Sequence, residues 1–94
     1  MSDEALRVEV EIVNDLGLHT RAATTLVKLA NTFQSEIEIS INDVAANAKS
    51  IMGLLALGAR KGKKILIVAK GKDKDRALTA LTELVKNGFN EDAR

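Results

Sequence analysis

The segment LRVEVEIV alternates strictly between apolar and charged positions near the start of the chain. Leu6, Val8, Val10 and Ile12 lie on one side of an extended backbone and Arg7, Glu9 and Glu11 on the other, which predicts a strand with one buried and one wet face. After the loop NDLGL the period changes. From Thr20 to about Thr32, Ala22, Leu26, Leu29 and Phe33 recur at helical spacing, flanked by Ala23 and Ala30. Thr24, Thr25, Lys28 and Asn31 fall on the opposite side, so the segment predicts an amphipathic helix. EIEISI alternates again, with Ile37, Ile39 and Ile41 inward. Asn42 and Asp43 tolerate left-handed backbone angles and predict a turn, and VAANA returns from it as the second arm of a hairpin.

Ser50 stands before the apolar run IMGLLALG as a helix N-cap, with Gly58 as the C-terminal stop. KKILIVAK predicts a fourth strand. GKDKDRALTALTELVKNGF predicts the last helix. Asp73 or Asp75 starts it, Ala77, Leu78, Leu81, Leu84 and Val85 face inward, and Gly88 is its left-handed stop, with Phe89 folding back towards Leu84. The order is β-α-β-β-α-β-α. Strands with one wet face call for helices on the other face only, giving an α+β fold in which a four-stranded antiparallel sheet is covered on one side.

Ninety-four residues predict a single domain spanning 1–94. Apolar residues make up 46% of the chain, and Phe33 and Phe89 are its only aromatic residues, so the core is built from Leu, Ile, Val and Ala. The net charge of +1, from 14 basic and 13 acidic side chains, argues against a dedicated nucleic-acid binder, as does the lack of Tyr and Trp to stack on bases. There is no cysteine, which excludes disulfides, thiol catalysis and zinc-thiolate sites. MSDEALRVEVE does not read as a secretory leader, and no stretch approaches the roughly 20 apolar residues of a membrane helix. A cytoplasmic monomer without membrane insertion is expected.

The single histidine, His19, lies at the mouth of the first helix, two residues before Arg21. A helix opens with backbone N–H groups that lack internal partners and can donate to an anion. The positive end of the helix dipole disfavours imidazolium, and neutral imidazole is the nucleophilic form. Arg21 supplies a planar cation with fork geometry for a phosphoryl group. Gly17 lets the backbone approach closely. Thr20 is a second candidate cap that competes with His19 for the helix entry. On these residues alone two readings stand: a surface or capping histidine, or a histidine that accepts and releases a phosphoryl group. A metal site is disfavoured because no second His or Cys shares the coordination, and no nucleophile elbow supports a hydrolase.

NDLGLHTRAA together with NAKSIMGLLALG resembles the HPr family of bacterial phosphocarriers, and the resemblance runs from about Leu6 to Phe89. It implies the open-faced β-sandwich. It implies that His19 is phosphorylated through Nδ1, that Arg21 is the supporting cation, that enzyme I of the phosphoenolpyruvate-dependent phosphotransferase system is the donor, and that a IIA domain is the acceptor. Gly17, Thr20 and Ala22 surround the phosphate approach. No cofactor or metal is implied, and the protein is a stoichiometric carrier rather than an enzyme. Where the family usually has proline, this chain has Ala22; alanine is the best helix former, so the helix should persist with some loss of stiffness around His19.

SIMGLLALG is apolar almost all round, which predicts an exposed patch. The resemblance makes Ile51, Met52 and Leu55 the docking surface for enzyme I and other partners, and methionine suits contact with several surfaces. Ser50 caps the helix; the resemblance adds phosphorylation there by a regulatory HPr kinase/phosphorylase. Lys28, Lys49, Arg60, Lys61, Lys63 and Lys64 read as solvated charge. Within the family, KSIMGLLALG resembles carriers of the sugar-uptake branch, whereas NGFNED resembles the nitrogen branch. The sugar branch is taken as the reading, with a nitrogen-branch carrier or a non-relay regulatory module as alternatives; the presence of His19 argues against the module.

Overall fold

The computed structural model describes residues 4–91. Residues 1–3, part of the stretch read as lacking a leader, and Asp92 of the NGFNED ending lie outside the described residues. The elements follow in the expected order: β1 (Leu6–Glu11), α1 (Thr20–Ala30), β2 (Glu36–Ile41), β3 (Val44–Asn47), α2 (Ile51–Leu57), β4 (Lys64–Lys70) and α3 (Lys74–Lys86), with a short terminal turn at Gly88–Asn90. No helix among the described residues is long and apolar enough to cross a membrane.

The sheet is antiparallel throughout, in the order β1-β4-β2-β3. Its register brings the inward residues into rows. Val10 lies opposite Ile65, Val8 opposite Ile67, and Ile67 in turn opposite Ile39, which faces Ala46. Ile39, Ile65 and Ile67 are fully buried, and burying a side chain of this size stabilises the fold by about 1.5–3 kcal/mol. All three helices lie on this face: α3 against β1 and β4, α2 against β3 and α1, and α1 against α3. On the other face Arg7 and Glu38 flank Val68, and Glu9 and Ser40 flank Leu66. This is the open-faced α+β sandwich that the alternating strands require.

Two helix faces differ in detail from the periodic reading. In α1 the buried set is Ala22, Ala23, Leu26, Val27 and Ala30, while Leu29 and Phe33 only flank the core. The contacting stripe is rotated towards Val27 because α1 packs against α2, α3 and the terminal turn. In α3, Ala77, Leu81, Leu84 and Val85 are buried, and Leu78 is partly exposed at the edge. Ser50 caps α2 as expected, its Oγ accepting from the Gly53 N–H at 3.0 Å, and Gly58 ends the helix at φ 62°.

Asp73 occupies the N-cap position of α3, yet its side chain makes no bond to that helix. Its carboxylate accepts from the backbone N–H groups of Gln34 and Ser35, at 2.9 and 3.0 Å, and from the Ser35 hydroxyl. It thereby ties the β4–α3 loop to the α1–β2 loop. Gly71 makes the approach possible: a Cβ there would lie 2.8 Å from Ser35 Cα. The Ser35 hydroxyl, followed by the Gln34 amide, lowers the Asp73 pKa from 3.8 to about 2.

A carboxylate whose pKa is lower in the folded than in the unfolded chain contributes stability that is complete above the unfolded value and lost as pH falls towards the folded one. The wild-type thermal midpoint should therefore fall between pH 4 and about 2 partly through Asp73. Asp73→Asn should unfold at a lower temperature at pH 7 and lose that part of the acid dependence, read by circular dichroism melts across the pH range.

Candidate functional site

The site begins with a closed loop from Asn14 to His19. The Gly17 N–H donates to the Asn14 carbonyl at 3.1 Å, and the Gly17 carbonyl accepts from the His19 N–H at 2.9 Å and from Asn14 Nδ2 at 2.8 Å. Gly17 has φ 66°, where a side chain is strained. A Cβ there would lie 2.6 Å from the Ala59 carbonyl oxygen and 2.9 Å from Arg60 Cα. The room left by its missing side chain is thus taken by the Ala59–Arg60 backbone. Next to it, the Leu18 N–H donates to Ala59 O at 2.9 Å, and the Leu18 side chain is buried.

His19 is the N-cap of α1, with extended backbone angles. Its side chain makes no capping bond, and Thr20 is the first helical residue, so the competition between the two caps does not arise. The first bond at the helix start runs from the Ala23 N–H to the His19 carbonyl at 2.8 Å. The amides of Thr20, Arg21 and Ala22 precede it and are the donors a helix start offers to an anion. The side chain of Ala22 is fully buried, so only its backbone belongs to the site. Helix α1 runs unbroken through Ala22 despite the lack of proline. Arg21 is exposed, and its guanidinium makes no hydrogen bond or ion pair among the described residues.

The His19 ring is 27% exposed, and its Nε2 meets the Glu91 Oε2 carboxylate oxygen. The other oxygen, Glu91 Oε1, accepts from Asn14 Nδ2 at 3.0 Å. Asn14 is 8% exposed, and its Oδ1 has no partner among the described residues. A buried acceptor left unpaired costs about 1–3 kcal/mol. Neither Asn14 nor Glu91 stood out in the sequence: one reads as a loop polar residue, the other as part of a charged ending. Both Nδ2 protons face acceptors, the Gly17 carbonyl and Glu91, so rotating the amide would set oxygen against oxygen.

Glu91 reaches His19 because the chain reverses sharply after α3. Gly88, Phe89 and Asn90 have φ values of 65°, 58° and 62°. A left-handed backbone costs non-glycine residues about 1–2 kcal/mol each, and the buried ring of Phe89 holds the turn in place.

On α2, Met52 is 80% exposed and Ile51 is also exposed, whereas Leu55 packs partly against the core. Leu16, three residues before His19, is 69% exposed and adds an apolar group that the periodic reading missed. Of the cationic residues read as solvated, Lys49 is engaged, donating from Nζ to the Phe33 carbonyl at 2.8 Å, and Lys61 pairs with Asp15 at 2.7 Å. Among the described residues no group of three or more His, Asp or Glu side chains could hold a metal ion.

A family model described as the PTS HPr component phosphorylation site matches residues 6–87. The phosphocarrier protein HPr of Neisseria meningitidis serogroup B is 43% identical over 86 residues, covering 92% of this chain and 97% of that protein. The phosphocarrier protein NPr of Shewanella violacea is 46% identical over 86 residues, covering 92% and 94%. The crystal structure of HPr-C-His from Thermoanaerobacter tengcongensis superposes with a TM-score of 0.89 at 38% identity, covering 93% of this chain and 98% of that one.

Two glycines separate the contributions at the loop. Gly58 has φ 62° with nothing near its absent Cβ, whereas Gly17 has φ 66° and backbone in the way. Gly58→Ala should destabilise by about 1 kcal/mol from the backbone alone. Gly17→Ala should lose about 2 kcal/mol more from the collision. Urea unfolding midpoints of the two variants test the difference.

Proposed function

The chain belongs to the HPr family, the phosphocarriers of the phosphotransferase system, and from that premise we propose that His19 is its phosphoryl acceptor. Nδ1 of the ring attacks the phosphorus of phospho-enzyme I. A nitrogen–phosphorus bond forms, the bond from phosphorus to the donor breaks, and its electron pair stays on the donor. The reverse chemistry, with a IIA domain as acceptor, discharges the carrier. The observation that carries this reading is a partly exposed imidazole at the amide-rich start of α1, two residues before a guanidinium without a partner among the described residues. Backbone dipoles and Arg21 together suit a dianion held for a short time. Gly17, Thr20 and Ala22 contribute through the backbone around that approach.

Ile51 and Met52, with the partly buried Leu55, are the apolar residues proposed to dock enzyme I and IIA domains. Ser50 sits at the start of the helix that carries them. Phosphorylation there by a regulatory kinase would add a charge of about −1.5 to −2 beside the docking residues. Sugar uptake is the proposed branch. The similarity to a nitrogen-type carrier from Shewanella violacea favours the nitrogen branch as a second reading. Comparing transfer rates from the phosphorylated protein to a sugar-type and a nitrogen-type IIA domain separates the two, the faster acceptor marking the branch.

Incubation with phosphoenolpyruvate and enzyme I should label the protein with acid-labile phosphate, and His19→Ala should abolish the label. Persistent labelling of the variant would overturn the site.

Aspartate is itself a good N-cap, so Ser50→Asp should unfold cooperatively and close to the wild-type temperature. It should slow phosphorylation at His19 about tenfold, through repulsion of an acidic partner surface. An unchanged rate would leave Ser50 as a helix cap alone.

A further inference from the structure

The Asn14–Glu91 pair adds no apolar group to the core, yet the fold holds it in place with a buried oxygen that has no partner among the described residues and with three successive left-handed residues. Strain and unpaired groups that the surrounding structure maintains gather where geometry serves function. We propose that Glu91, oriented by Asn14, is the positioning residue that selects which nitrogen of His19 reacts.

A carboxylate oxygen can only accept, so the ring nitrogen facing it must carry the proton. Glu91 Oε2 faces Nε2. The neutral ring is therefore held as the Nε2–H tautomer, with its lone pair on Nδ1, the nitrogen left free to attack. Asn14 determines the carboxylate's orientation: Nδ2 donates to Glu91 Oε1 at 3.0 Å and to the Gly17 carbonyl at 2.8 Å, linking Glu91 to the loop that sets the backbone of His19. When Nδ1 bonds to phosphorus while Nε2 keeps its proton, the ring takes a positive charge, and the Glu91 carboxylate faces it. When the phosphoryl group departs, the electron pair of the breaking bond returns to Nδ1 and the same neutral tautomer is restored. No proton leaves the ring in either direction. Orientation of an imidazole by a carboxylate on its far nitrogen is the same physical arrangement that fixes the tautomer in hydrolase triads.

This assignment rests on the carrier reading, and its test separates the two. Long-range nitrogen–proton spectra of the ring, recorded with no phosphoryl donor present, should show the neutral wild-type His19 protonated on Nε2 and bare at Nδ1. Glu91→Ala lies at the edge of the described chain, outside the core, and should stay folded. It should mix the two tautomers and slow phosphoryl uptake by roughly 10- to 100-fold, the loss expected for one charge-assisted hydrogen bond. Glu91→Asp should restore part of the tautomer bias and of the rate. Asn14→Ala should shift both readouts in the same direction by less. A wild-type ring protonated on Nδ1, or a Glu91→Ala protein with unchanged spectrum and rate, overturns the proposal. A wild-type protein with the Nε2–H ring that takes no phosphoryl group from phospho-enzyme I overturns the carrier reading and supports the tautomer assignment.

Discussion

A single backbone hydrogen bond, from the Leu18 N–H to the carbonyl of Ala59 at 2.9 Å, fixes where α1 begins. It forms only because Gly17 brings the loop against Ala59 and Arg60 without a side chain. The buried Leu18 side chain locks the same residue into the core. Every other feature of the site is measured from this point. The first helical amides, the extended backbone of His19 and the position of Arg21 follow from where the helix starts, and Asn14 closes the same loop through the Gly17 carbonyl. Shifting the helix start by one residue would turn the histidine by about 100°, the angle of a helix with 3.6 residues per turn.

The fold was legible wherever one side of an element meets water. Arg7, Glu9 and Glu11 in β1, and Glu36 and Glu38 in β2, force an alternation that has one consistent reading. Capping chemistry, a serine before and a glycine after an apolar run, identified Ser50 and Gly58 as the ends of α2. Legibility failed where a residue serves an element other than its own. Asp73 reads as a helix cap by position, but its carboxylate is taken by Ser35 and Gln34 some 38 residues away. Val27 lies outside the periodic stripe Ala22, Leu26, Leu29 and Phe33, yet it is buried in a helix that packs against two others.

The site divided along the same line. His19, Arg21 and the amides before Ala23 are local, so the sequence brings them together at a helix mouth; their spacing alone leaves a capping histidine and a phosphoryl acceptor both open, and the resemblance of two long motifs separates the readings. Asn14 and Glu91 are not local. Glu91 stands 72 residues from the ring it contacts, and it arrives through a turn whose second and third left-handed residues are Phe89 and Asn90. Gly88 announces that a helix ends; nothing in the residues from Gly88 to Glu91 announces that they turn back towards His19. That turn depends on the Phe89 ring finding the core, a tertiary event with no local signature.

A carboxylate beside the proposed phosphoryl acceptor looks counterproductive, since the carboxylate and the phosphoryl group are both anions. The geometry resolves the conflict. Glu91 meets Nε2, while the proposed phosphoryl bond forms at Nδ1, so the ring lies between them. In the phosphorylated state the ring itself bears the positive charge, and each anion faces that charge more closely than it faces the other, which makes the attractions the larger contributions. A carboxylate on the same side as Nδ1 would instead oppose phosphoryl entry directly. The arrangement also suits a protein that must give up what it accepts: hydrogen bonding to Nε2–H supports the ring before, during and after transfer, and the carrier needs no separate proton donor or acceptor to reset. The amides, the guanidinium and the carboxylate thus surround one partly exposed ring, and none of them belongs to the exposed Ile51 and Met52 of α2 proposed to meet partners.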